Sequence, residues 1–258
     1  MDRRVDHEPT KRGGVSMSAV ELALSWRARA AIEAGSGDLS GPDPAPLPEL
    51  LESLRHHLLA GETHYPARPG MVDLRRLVGT ALPGAGYPER GADGVLITAS
   101  EGESLFVTLL GLGAGKGASY TGSAPGRHSR LFDWMGLVMA DPDAADHEAL
   151  AFDYTDRAHD AAQETRGRVE RDYSVPRIHA IGDRLFRSDA PAHSDDALAN
   201  VIVIGSLDGL AAMQPFRLGF VAAPPETLAG IARWKQASSI CSPAPSQRAA
   251  LFAQGVRP

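Results

Sequence analysis

Chemistry that runs through a primary amine has few places to happen in this chain. Its 26 basic residues include only three lysines, Lys11, Lys116 and Lys235, so a Schiff base has only those candidates. Metal chemistry has no better supply: His, Cys and carboxylates nowhere fall at ligand spacing, and the neighbours His56 and His57 point in different directions on an expected helix. Gly113-Ala114-Gly115 follows a helix and precedes a strand, the reverse of the order that a dinucleotide-binding glycine turn needs. Ser100-Glu101-Gly102 differs, because it opens a helix directly after a strand. Exposed backbone N–H groups and the helix dipole suit an anion at such a turn. Glu101, however, puts a carboxylate there, which suits capping but repels a phosphate dianion by several kcal/mol at short range.

These residues depend on the elements that carry them. Residues 1–17 read as a disordered tail, with Met17 a candidate start, and residues 18–33 carry apolar positions at helical spacing behind Ser18 as N-cap. Helices are expected at about 48–60 and 71–82. Short β-rich runs then alternate with helices: VLIT at 95–98, ASYTG near 120, LVMAD after a helix at RHSRLFDWMG, RIHAIGD at 177–183, NVIVIGS at 200–206 and RLGFVAA at 217–223. The polar stretch 143–172 reads as one or two exposed helices, and two more helices run from Pro225 to about Ser238 and from about Pro245 onward. Strands separated by helices predict a three-layer α/β/α fold with a mostly parallel sheet covered on both faces. Ligands bind such sheets at the carboxyl ends of the strands, so chemistry belongs in the loops after Thr98, Ile181 and Ile204.

Composition narrows the function classes. The chain has 258 residues, 43% of them hydrophobic, enough for one large core. A single cysteine, Cys241, excludes a disulfide scaffold. Apolar runs are too short to span a membrane, and a net charge of −6 gives nucleic acid no electrostatic welcome. With no apolar secretory segment near the start, a cytoplasmic location is the default expectation.

Four blocks carry a family resemblance: GETHYPARPGMVDLRRLVGTAL, DGVLITASEGESLFVTLLGLG, NVIVIGSLDGLAAMQPFRLGFVAAP and IARWKQASSICSPAPSQRAALFA. In order and spacing they resemble the large domain of class I/II aminotransferases, the fold type I enzymes that depend on pyridoxal phosphate. Beyond the disordered tail at 1–17, the resemblance implies a large domain at 18–240 and, at 241–258, a remnant of a small C-terminal domain that is otherwise largely absent. It also implies a homodimer with its site at the subunit interface. In the family a Ser-x-x-Lys element supplies the amine that holds the cofactor. Here Ser206-Leu207-Asp208-Gly209 fills that element, so the lysine position reads as Gly209. The aromatic residue that stacks on the cofactor ring is replaced by Ser123-Ala124-Pro125, residues 141–176 contain no Asn, and Phe186 stands where a Tyr is usual. By the same resemblance, Asp183 matches the partner of the ring nitrogen and Arg217 the phosphate-binding arginine.

The candidate site follows from this inheritance. Asp183 and Asp208 are the expected acid and base, if burial or mutual repulsion raises one pKa. His64 and Tyr65 are expected to join them from the neighbouring subunit. Arg217, Ser206, Ser100, Glu101 and His128 are the expected ligand- and anion-binding residues. Covalent cofactor is not expected. Three readings remain open: a cofactor-independent small-molecule biosynthetic enzyme or binder using the old cleft, a non-catalytic pseudoenzyme or regulatory partner, and a noncovalent binder of pyridoxal or pyridoxamine phosphate.

Overall fold

A computed structural model describes residues 47–115, 119–122, 126–139, 150–154, 177–186, 198–210 and 213–255. The expectations for the tail at 1–17, the helix at 18–33, Lys11, Lys116, Ser123-Ala124-Pro125 and most of 143–172 lie outside those residues. The helices are α1 (Pro48–Leu59), α2 (Val72–Ala81), α3 (Glu101–Gly111), α4 (Gly126–Met135), α5 (Pro225–Ser239) and α6 (Ala244–Gly255). The strands are β1 (Val95–Thr98), β2 (Ser119–Gly122), β3 (Val138–Met139), β4 (Leu150–Tyr154), β5 (Arg177–Ala180), β6 (Ile202–Ser206) and β7 (Gly219–Ala222).

The strands form one sheet in the order β1-β7-β6-β5-β4-β2-β3. Every pairing from β6 outward through β5, β4 and β2 to β3 is parallel. Only β7 runs the other way, antiparallel to both β1 and β6. The sheet is therefore mostly parallel, as expected. One expectation needs correcting: Leu150–Tyr154, inside the stretch read as exposed helix, is β4, paired between β2 and β5. The polar residues around it hid a short run, Leu-Ala-Phe-Asp-Tyr, that a sheet can take in.

Period-2 alternation builds the layers. Val95, Ile97, Val203, Phe220 and Ala222 share one core with Leu50 of α1, Leu74 and Val78 of α2, and Ala249, Ala250 and Ala253 of α6. Their neighbours Leu96, Ile202, Ile204 and Val221 face the opposite core, with Leu105 and Leu109 of α3, Phe132 of α4 and Ile231 of α5. Helices thus cover both faces, which makes the fold a three-layer α/β/α. α6, which begins in the segment assigned from sequence to a small-domain remnant, packs into the same core as α1 and α2.

Two backbone details bring the loops at the carboxyl ends together. Gly182 turns with φ 60° just past β5, a conformation open to glycine at no steric cost, and its carbonyl accepts the Ser206 N–H at 2.7 Å. At Gly219 a Cβ would lie 2.4 Å from the Ser100 carbonyl carbon. Only glycine lets β7 come that close to the turn that follows β1.

Candidate functional site

The loops meet around a cavity of about 680 Å³ at the carboxyl end of the parallel strands, a volume typical of small-molecule sites. Seven of the nine residues expected from sequence line it: Ser100, Glu101, His128, Asp183, Ser206, Asp208 and Arg217. His64 and Tyr65 do not; both are exposed, Tyr65 at 81%.

Ser100 is the N-cap of α3, its Oγ accepting the Glu103 N–H at 3.1 Å. Glu103 reaches back and accepts the Ala99 N–H at 2.6 Å, so Ser100-x-x-Glu103 is a capping box displaced by one residue. Glu103 is anchored in turn. Its Oε1 accepts the Ser239 hydroxyl at 2.6 Å and lies 3.5 Å from Lys235 Nζ. Lys235 is 1% exposed and donates to Ser239 Oγ at 2.6 Å. α5 thereby fastens the turn that places Ser100 and Glu101 in the cavity wall.

Glu101 does not turn away from the cavity. It is buried, and its Oε1 accepts the His128 Nε2–H at 3.0 Å. His128, expected among the ligand-binding residues, is buried against this carboxylate. Arg217 occupies a left-handed backbone position, φ 52° and ψ 69°, which costs a non-glycine residue about 1–2 kcal/mol. Strain of this kind concentrates at functional sites. Among the described residues its guanidinium makes no hydrogen bond and no ion pair within 4 Å, so it does not pair with Asp208.

Burial pushes the Asp208 carboxyl above the usual carboxylate range; Ser206 and Arg217 pull it back, while Asp183 and Glu101 push it further up. The sign is then fixed. An acid whose pKa rises on folding stabilises the folded state while protonated, and that contribution is lost as pH climbs through the folded pKa. Asp208→Asn should therefore raise the urea midpoint at neutral pH, and the gain should shrink as the pH falls through the raised folded-state pKa and be gone below the ordinary Asp pKa. A midpoint difference independent of pH would contradict this placement of Asp208.

Sequence reasoning missed Gln214, whose Nε2 donates to the Asp208 carbonyl at 3.1 Å, and Leu218, both in the cavity wall. It also missed Lys235. The signal was present, because Leu228, Ile231 and Lys235 follow i, i+3, i+7 along α5 and are all buried. Among the described residues no group of His, Cys, Asp and Glu can hold a metal ion, and no helix is long and apolar enough to cross a membrane.

No protein-family profile and no curated protein matches the sequence. Solved structures do match its fold. A mutant of the aspartate aminotransferase of Thermus thermophilus, complexed with tryptophan, superposes with a TM-score of 0.71 at 14% identity, over 98% of this chain and 74% of that one. A methionine aminotransferase from Escherichia coli gives a TM-score of 0.68 at 17% identity, over 93% and 72%. A protein from Methanococcus jannaschii, described as similar in its active site to kynurenine aminotransferases, gives 0.66 at 18%, over 92% and 70%. At such identities the likeness is one of fold.

Proposed function

We propose that this chain, built on the fold of aminotransferases, uses the cavity at its strand ends as a small-molecule site that works without covalently held pyridoxal phosphate, as a biosynthetic enzyme or binder. The convergence of seven expected residues from separate loops on one cavity carries the reading. Asp208, whose carboxyl burial pushes above the usual carboxylate range, and Asp183 share the cavity wall and supply its acid and base. Arg217 offers an unpaired guanidinium fork to an anionic ligand group.

Pyridoxal phosphate does not fit the residues present as a covalent group. The strand-end element carries Gly209, and no described residue of the lining is a lysine. Lys235 is committed to Glu103 and Ser239 inside α5. Among the described residues of the lining, Glu101, Asp183 and Asp208 share the wall with a single arginine, Arg217. A second reading, noncovalent pyridoxal phosphate held by Arg217 and Asp183, draws on the unpaired guanidinium. Asp208 and Glu101 weigh against it.

An absorbance spectrum tests the proposal. Purified protein should be colourless, and borohydride reduction in the presence of added pyridoxal phosphate should leave no pyridoxyl peptide by mass spectrometry. A pyridoxyl adduct on Lys116 or Lys235 would return the chain to cofactor chemistry with a relocated lysine.

The proposal extends to a homodimer, which would carry one protomer's exposed His64 and Tyr65 to the cavity of its partner. Light scattering at micromolar concentration should give twice the chain mass. A monomer would remove both residues from the site.

A further inference from the structure

We propose that His128, positioned by Glu101, is a general base of this cavity and accepts a proton from an O–H or N–H group of the bound ligand. The inference rests on the reading of the cavity as the ligand site and adds a reacting group to it.

The two side chains come from the first turns of two helices. Glu101 opens α3, whose turn is fastened through Glu103 to α5, and His128 lies in the first turn of α4. Glu101 Oε1 and His128 Nε2 are 3.0 Å apart, and the two side chains keep only 8% and 10% of their surfaces open. A Cβ on Gly102 would lie 3.9 Å from His128 Cε1, so the ring edge packs beside that glycine. A carboxylate that accepts Nε2–H fixes the tautomer and orientation of the imidazole. In the neutral ring the lone pair is then at Nδ1, and among the described residues Nδ1 makes no hydrogen bond. An imidazole buried only to fill space normally has its polar atoms satisfied. His128 instead belongs to the cavity wall, together with Ser206, Asp208 and Arg217. Glu101 is also close enough to push the Asp208 carboxyl upward, so the dyad and that acid address one space.

The step is a proton transfer. The proton leaves the ligand's oxygen or nitrogen for Nδ1, and its bonding pair stays behind on the ligand. The ring becomes an imidazolium whose charge the Glu101 carboxylate stabilises without taking up the proton itself. Return of the proton to the ligand restores the neutral ring.

Diethyl pyrocarbonate probes this lone pair. Nδ1 attacks its carbonyl carbon, ethyl carbonate leaves and the Nε2 proton departs, and peptide mass spectrometry reads the adduct at each of the nine histidines. His179 is the control, because it is 6% exposed against 9% for His128 and does not line the cavity. Burial alone would protect the two alike. On the full chain His128 should react many times faster than His179, and long-range proton–nitrogen NMR should place the adduct on Nδ1. Glu101→Gln, which keeps the size and removes the charge, should slow the reaction at His128 severalfold. If that variant does not fold, the contrast with His179 and the position of the adduct decide in the wild-type chain. An adduct on Nε2, a rate unchanged in Glu101→Gln, or a His128 as inert as His179 would overturn the assignment. The cavity would still stand as a ligand site if inorganic phosphate shifts the Gly102 and Arg217 amide resonances of the same protein. An inert His128 with no phosphate shift would overturn both.

Discussion

Lys235→Met should destabilise the protein by about 3–5 kcal/mol, the usual cost of removing one partner from a buried ion pair. The side chain is 1% exposed, and its partner Glu103 is 16% exposed, so water can do little for the carboxylate left behind. Ser239 and the Ala99 N–H would still donate to Glu103, but without a cation the buried charge remains. The double variant Lys235→Met with Glu103→Gln should recover much of the loss, because it removes the orphaned charge along with its partner. Urea unfolding of wild type, both singles and the double closes the cycle. A single-variant cost under about 1 kcal/mol would place the pair among surface salt bridges. Because Glu103 also holds the turn before α3, the single variant should loosen the Ser100–Glu101 wall as well.

Phe220→Ala should cost about 3–5 kcal/mol, the range for deleting a buried aromatic ring. Phe220 is fully buried on β7, the strand that joins β1 to β6. Its ring lies against Gly205, where a Cβ would sit 2.8 Å from the Phe220 Cε1 atom. With β1 and β6 bonded on either side, β7 cannot slide to close the void, so the cavity term should be paid in full. Thermal unfolding should fall by roughly 6–20 °C at this chain length. Phe220→Leu, which keeps most of the volume, should lose far less. Equal losses for the two variants would mean that the ring's volume is not what matters there.

Much of the layer architecture was legible in the sequence, because buried strands read as short β-rich runs and amphipathic helices as 3.6-period stripes. β4 was not: Asp153 and Tyr154 sit in a stretch whose Asp, Arg and His content reads as solvated helix, and a five-residue strand sheltered between two neighbours needs little apolar signal of its own. The cavity residues were legible from fold logic, since Ser100 and Asp183 follow strand ends and Ser206 closes β6. Gln214 was not, because an amide three residues before Arg217 carries no chemical signature until Asp208 is seen beside it. His64 and Tyr65 came from the analogy with a two-fold assembly, which one protomer's geometry cannot supply. Lys235 was passed over because a lysine on a helix is read by its charge, while its place in the apolar stripe was the better guide.

That buried lysine gives the protein an internal gauge. An amine-reactive reagent can reach Lys235 only when α5 lifts from α3 or frays past Ser239, so its acylation rate would report the opening of that helix much as amide exchange does. The chain has only two other lysines, Lys11 and Lys116, so a mass spectrum after brief labelling would separate the three sites without any engineered probe. Denaturant, temperature or a bound ligand could then be read as changes in how often a single helix lets go.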